Sequence, residues 1–137
     1  MSLYIFDTDH VTLHQRAQPR ILARIQPIAP TELAVTVITV EEQLRGRLAQ
    51  LNAPATNLAL VYEQFRATVD YFCGLPILPF DAVAQQQYQM LRAQKIRIGT
   101  LDLRIAAIAL RQAATLVTRN GHDFARVPNL RIEDWSI

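Results

Sequence analysis

Leu3-Tyr4-Ile5-Phe6-Asp7-Thr8-Asp9 sets four consecutive apolar residues directly against two carboxylates. Such a short unbroken apolar run reads as a strand buried on both faces, delivering Asp7 and Asp9 at its carboxyl end. Outward from it, Val11 to Ile28 holds two short helical stretches, with Pro19 suited to the first turn of the second. Leu33 to Val37 is β-branched and apolar, a second strand, and Ile38-Thr39 leads into a helix over Val40 to Leu51. Pro54 opens a longer helix whose Leu58, Val61, Tyr62, Phe65, Val69 and Phe72 form one apolar stripe. Ile77-Leu78 reads as a short strand, and Asp81 as the N-cap of a helix over Ala82 to Lys95. Leu101 to Ala113 contains Ile105-Ala106-Ala107-Ile108-Ala109-Leu110, apolar all round, hence a central helix packed on most sides. Thr115 to Thr118 is a further strand, Asn120-Gly121 a turn, and Leu130 to Ile132 a last edge strand. Strands alternating with helices predict a parallel central sheet with helices on both faces, a three-layer α/β fold.

The chain has 137 residues, half of them hydrophobic and 19% charged, enough for one ordinary core and too few for two. Residues 1–137 are therefore expected to form a single domain. Seven Pro and four Gly, with a mean hydropathy of +0.08, exclude a disordered or linker-rich chain. A net charge of +2 argues neither for nor against a polyanionic partner, so any nucleic-acid reading must come from local arrangement. The single cysteine, Cys73, makes no internal disulfide and reads as a small buried hydrophobe on a helix. The N-terminal apolar run lacks a cationic flank and is broken by Asp7 and Asp9, so neither a signal peptide nor a membrane span is expected. The expectation is a cytoplasmic protein with no membrane partner.

The informative pattern is where the acids fall. Asp7 ends the first strand, Glu42 follows the second, Asp102 lies in the first turn of the central apolar helix, and Asp123 follows the strand Thr115 to Thr118. In a parallel α/β fold all four project toward one edge of the sheet, where sites form. Carboxylates crowded into one crevice repel strongly and must be neutralised by protons, arginine or a divalent cation. An all-oxygen cluster suits Mg²⁺ or Mn²⁺, which orient a phosphodiester and activate a bound water. The structural alternatives are a capping box Thr39-x-x-Glu42, a helix-dipole role for Asp102 and a turn role for Asp123. Asp7 resists such a reading, because a carboxylate directly after a buried strand is poorly solvated.

At these residues the sequence resembles the PIN-domain family, and more narrowly the VapC-type toxins of toxin–antitoxin pairs. Ile5-Phe6-Asp7-Thr8-Asp9 is similar to the family's opening strand and Asp-Thr-Asn motif, with Asp9 where Asn is usual. Ile38-Thr39-Val40-Glu41-Glu42-Gln43-Leu44-Arg45-Gly46 resembles its Ile-Thr-x-x-Glu-x-x-x-Gly segment and selects Glu42 over Glu41. Leu78-Pro79-Phe80-Asp81 is similar to the family's Leu-Pro-Phe-Asp stretch. Ile98 through Ala107 resembles the third acidic motif and assigns Asp102; Leu116-Val117-Thr118-Arg119-Asn120 through Asp123-Phe124 resembles the fourth and assigns Asp123. The resemblance covers almost the whole chain. It implies a PIN-like three-layer fold and an endoribonuclease using Mg²⁺ or Mn²⁺, with Asp7, Glu42, Asp102 and Asp123 around the metal. It also implies a cognate antitoxin and a homodimer, and leaves the RNA target open. Thr8, Asp9 and Thr118 are candidate accessory residues.

Thirteen of the fourteen basic residues are Arg. Arg45, Arg97, Arg104 and Arg119 lie beside the acidic motifs and are the candidate RNA-steering residues, against an ordinary solvated-surface role. His10 and His14 have the spacing of a zinc pair but no third soft ligand, and read as surface or packing residues. His122, next to Asp123, is either a proton shuttle or a turn residue. Two other functions compete. One is a small phosphatase-like enzyme with Asp7 as nucleophile, for which Lys95, the single lysine, is a poor match to the expected partner. The other is a non-catalytic PIN-like binding module.

Overall fold

The computed structural model describes residues 2–54 and 57–137. Among these, five strands, β1 (Tyr4–Phe6), β2 (Leu33–Thr36), β3 (Ile77–Leu78), β4 (Thr115–Val117) and β5 (Arg131–Glu133), form one sheet in the order β3-β2-β1-β4-β5. Every neighbouring pair is parallel, and Ile5 aligns with Ala34 on one side and Leu116 on the other. Among the described residues, seven α-helices connect them: α1 (Thr8–Gln15), α2 (Pro19–Ile25), α3 (Val37–Asn52), α4 (Leu58–Cys73), α5 (Ala82–Ala93), α6 (Thr100–Arg111) and α7 (Gly121–Phe124).

Strand alternation sorts the core into two layers of side chains. Ile5 and Leu116 face one side with Ala84, Leu91, Leu103, Ile105, Ile108 and Phe124, under α5, α6 and α7. Phe6 and Val117 face the other with Val11, Ile21, Phe72 and Trp135, under α1, α2 and α4. The three-layer α/β architecture is thus as the alternation of elements predicts. α6 buries Leu103 and the whole run Ile105 to Ala109, so truncating Ile105 or Ile108 to Ala costs about 2–5 kcal/mol.

Several boundaries differ from the sequence expectation. The first helix begins three residues early, because Asp7 caps it through the Thr8 N–H at 2.8 Å. α3 begins at Val37 rather than Val40, since the Thr36 hydroxyl accepts the Thr39 N–H at 3.2 Å. The helix expected from Pro54 begins at Leu58 behind an Asn57 cap, and positions 55 and 56 of the expected helix lie outside the described residues. The Asn120-Gly121 turn is the entry to the one-turn helix α7. Cys73 is exposed at the end of α4 rather than buried, because the stripe of that helix turns its last residue outward while Phe72 enters the core. Part of the α4 stripe is uncovered: Leu58, Tyr62 and Val69 are exposed, as is Leu60 beside it. No helix among the described residues is long and apolar enough to cross a membrane.

Candidate active site

The order β3-β2-β1-β4-β5 places a topological switch between β1 and β4, and open parallel sheets form sites outside the carboxyl ends of strands at such a point. Asp7 and Thr118 are the first residues beyond those two strands. The Asp7 N–H bonds Val117 O at 2.9 Å, which keeps its carboxylate on the sheet edge. Asp7 Oδ1 accepts the Thr8 N–H at 2.8 Å and Oδ2 accepts the Thr118 hydroxyl at 2.8 Å. Those bonds favour the charged form, yet Asp7 is only 6% exposed and burial prevails. Burial first, then the charges of Asp9 and Asp102, push it from its ordinary 3.8 up to about 7.

Asp102 links the predicted acids. Burial raises its pKa, followed by the charges of Asp123 and Asp9, and Asp102 in turn raises both Asp7 and Glu42. Glu42, half-buried on α3, is raised by burial and by Asp102 and Glu41. It accepts the Thr8 hydroxyl on Oε1 at 3.0 Å, with Thr39 Oγ1 at 3.3 Å from the same hydroxyl. Glu42 therefore makes no capping box with Thr39; Thr36 occupies the cap and leaves Glu42 to the site. Asp123 is half-buried in α7 and accepts the Asn120 side-chain amide at 3.1 Å. The sequence-predicted acids thus share one electrostatic field, and Thr8, Asp9 and Thr118 lie within it.

Asp9, at the position where the family motif carries Asn, is a junction. It accepts His10 Nδ1–H at 2.8 Å and the Arg119 N–H at 3.1 Å, with the Thr118 hydroxyl at 3.4 Å. His10 is fully buried, and the Trp135 N–H donates to its Nε2 at 3.1 Å, which leaves Nδ1 as the donor toward Asp9. Of the surface and packing roles the sequence left open, His10 takes the packing one. His14 separately bonds the Tyr71 hydroxyl at 2.7 Å.

The four candidate arginines do not converge. Arg45 is exposed and pairs with Glu41 on its own helix. Arg97 is exposed, and its carbonyl accepts from Arg126. Arg104 lies over the Tyr88 ring at 5.4 Å, and Arg119 reaches the acids through its backbone. A cavity of about 650 Å³ opens beside Thr8 and Glu42, between α1, α3 and α4, and its cationic wall is Arg16 and Arg47. Sequence reading missed both, together with Thr39 and Asn120; the available signals were Arg47 one turn on from Gln43, the neighbour of Glu42, and Asn120 three residues before Asp123.

The donors around Asp102 are all oxygen, buried or half-buried and mutually repelling, the chemistry that a hard divalent cation neutralises. Among the described residues, no three His, Cys, Asp or Glu side chains are grouped tightly enough to coordinate one ion in this arrangement. The fit is therefore one of donor chemistry and charge.

A parallel sheet with carboxylates collected at its switch point defines an α/β protein with an acidic site. The PIN domain family model matches residues 4–130, and the chain belongs to that family. It is 28% identical to the tRNA(fMet)-specific endonuclease VapC of Salmonella typhimurium over 98% of this chain and 99% of that protein. It is 29% identical to ribonuclease VapC1 of Haemophilus influenzae over 98% of each chain. Among solved structures, it superimposes on VapBC2 of Rickettsia felis bound to promoter DNA with a TM-score of 0.78 and 26% identity, covering 98% of this chain and 99% of that one.

Proposed function

We propose that this chain is a Mg²⁺- or Mn²⁺-dependent endoribonuclease, the toxin of a toxin–antitoxin pair. The observation that carries the reading is the shared field around Asp102, with Asp7 buried and held near neutrality at the sheet's switch point. The ribonuclease names of its relatives support the reaction, and the VapBC assemblies support an antitoxin partner. Asp7 and Asp102 would hold the cation, while Glu42 and Asp123 complete the site or position water. A hard divalent ion, when bound, neutralises a phosphodiester and lowers the pKa of its water. The chain supplies the rest. Thr118 and the Thr8 N–H fix both oxygens of Asp7, and the Thr8 hydroxyl fixes one oxygen of Glu42, so the acids need little reorganisation. Asn120 holds one oxygen of Asp123 in the same way.

Leu58, Leu60 and Tyr62 on α4 offer an apolar surface that fits the homodimer and antitoxin contacts the family implies. A cytoplasmic location belongs to the same reading. Incubating the purified protein with total RNA tests it: cleavage on adding Mn²⁺, stopped by EDTA and absent from Asp102→Asn, is expected. Cleavage unchanged in Asp102→Asn overturns the site.

A further inference from the structure

Arg47 is half-buried in the wall of the cavity that opens beside Glu42. Its Nε donates to Thr68 Oγ1 at 3.0 Å and one terminal nitrogen donates to Gln50 Oε1 at 3.1 Å. Both partners are neutral. Neither Arg47 nor Arg16 forms an ion pair among the described residues, unlike Arg24, Arg45, Arg66 and Arg111. A guanidinium held in place by neutral groups retains donors and a charge for an anion. The rest of the wall includes the amides of Gln15, Gln43 and Gln64, which carry both donors and acceptors.

Gly46 gives a second, independent sign. It lies inside α3, where glycine costs about 1 kcal/mol relative to alanine. A Cβ there would meet nothing within 4 Å, so no packing contact requires glycine. Gly46 lines the cavity, and its missing side chain leaves that space open.

From these features we infer that the cavity is a nucleotide subsite of the RNA strand: Arg47, assisted by Arg16, binds a phosphate flanking the scissile one, and the glutamine-lined space receives an unpaired base. The inference rests on the ribonuclease reading of the acidic site. The volume of about 650 Å³ falls in the range of small-ligand pockets, and polar edges of this kind read the exposed edges of unstacked bases. The subsite is continuous with the acids because Thr8 and Glu42 belong to both.

The test is fluorescence anisotropy in EDTA, with a labelled single-stranded oligoribonucleotide of randomised sequence, at about 50 to 200 mM KCl. Arg47→Gln is expected to weaken binding about tenfold at the lowest salt and to reduce the salt slope by about 0.7, one phosphate contact on a single strand. Arg47→Lys keeps the slope. Gly46→Leu is expected to melt at or above the wild-type temperature and still lose binding, which separates an occupied subsite from damaged folding. Arg16→Gln, on an exposed side chain, gives a smaller loss in the same direction. Wild-type affinity and slope in Arg47→Gln and Gly46→Leu overturn the subsite while the ribonuclease reading stands. The same holds if these variants bind RNA normally and instead lose a protein partner. A wild-type protein that neither binds this pool nor cuts RNA with Mn²⁺ overturns both.

Discussion

Removing the charge of Asp7 should stabilise the metal-free protein, and by an amount that depends on pH. The folded state raises this carboxyl from 3.8 to about 7, chiefly by burial. A folded pKa above the unfolded one means that the native protein binds more protons between those values, so stability falls as pH rises through them. The contribution is fully present below pH 3.8 and lost above about pH 7, on the order of 4 kcal/mol in all. Asp7→Asn keeps an acceptor for the Thr8 N–H, and the Thr118 hydroxyl, already receiving the Asn120 N–H, can turn to accept the new amide and donate toward Asp9. The variant should therefore melt roughly 10 °C above wild type at pH 8 in EDTA, with less than half of that gap left at pH 5. Thermal melts monitored by circular dichroism across that range provide the assay. A variant no more stable than wild type at pH 8, or a gap that widens on acidification, refutes the claim that burial of an ionised Asp7 is the dominant cost.

Other consequences follow from single contacts. Thr8→Val removes the hydroxyl that fixes Glu42, so Mn²⁺-dependent cleavage should fall about tenfold with an unchanged fold, measured as initial rates beside melting curves. His10→Phe fills the buried site but leaves one Asp9 oxygen and the Trp135 N–H without the partner His10 supplied; a loss of about 2–4 kcal/mol in urea unfolding is expected. Ala113 ends α6 at φ 53° while the Ala114 N–H reaches Ala109 O at 3.0 Å. Ala113→Gly should relieve that left-handed strain and stabilise by about 0.5–1 kcal/mol in the same assay.

The strands were legible because each is a short apolar run needing cover on both faces, and Asp7 because a carboxylate directly after such a run is conspicuous; Glu42, Asp102 and Asp123 sit inside helices and were picked out by the motif resemblance. Asp81 was legible as a cap because its side chain bonds a neighbour in sequence, Ala84, at 2.8 Å. What stayed hidden depends on distant pairing. Thr39-x-x-Glu42 has the spelling of a capping box, and only the approach of Thr8 from α1 shows Glu42 turned into the site. α1, α5 and α6 are each followed by a left-handed residue, Ala17, Lys95 and Ala113, none of them glycine, so the usual punctuation was missing. Arg45 pairs with Glu41 one turn before it, and its charge also bears on Glu42. Arg47, two residues on, faces the cavity instead.

The most direct test of the central claim is to express the protein briefly without any antitoxin, alongside Asp102→Asn, and to sequence new 5′-phosphate RNA ends. New ends at a small set of positions are expected for the unaltered protein and none for the variant, with both equally folded. The same new ends from Asp102→Asn, or none from folded wild-type protein that also leaves total RNA intact with Mn²⁺, would contradict it.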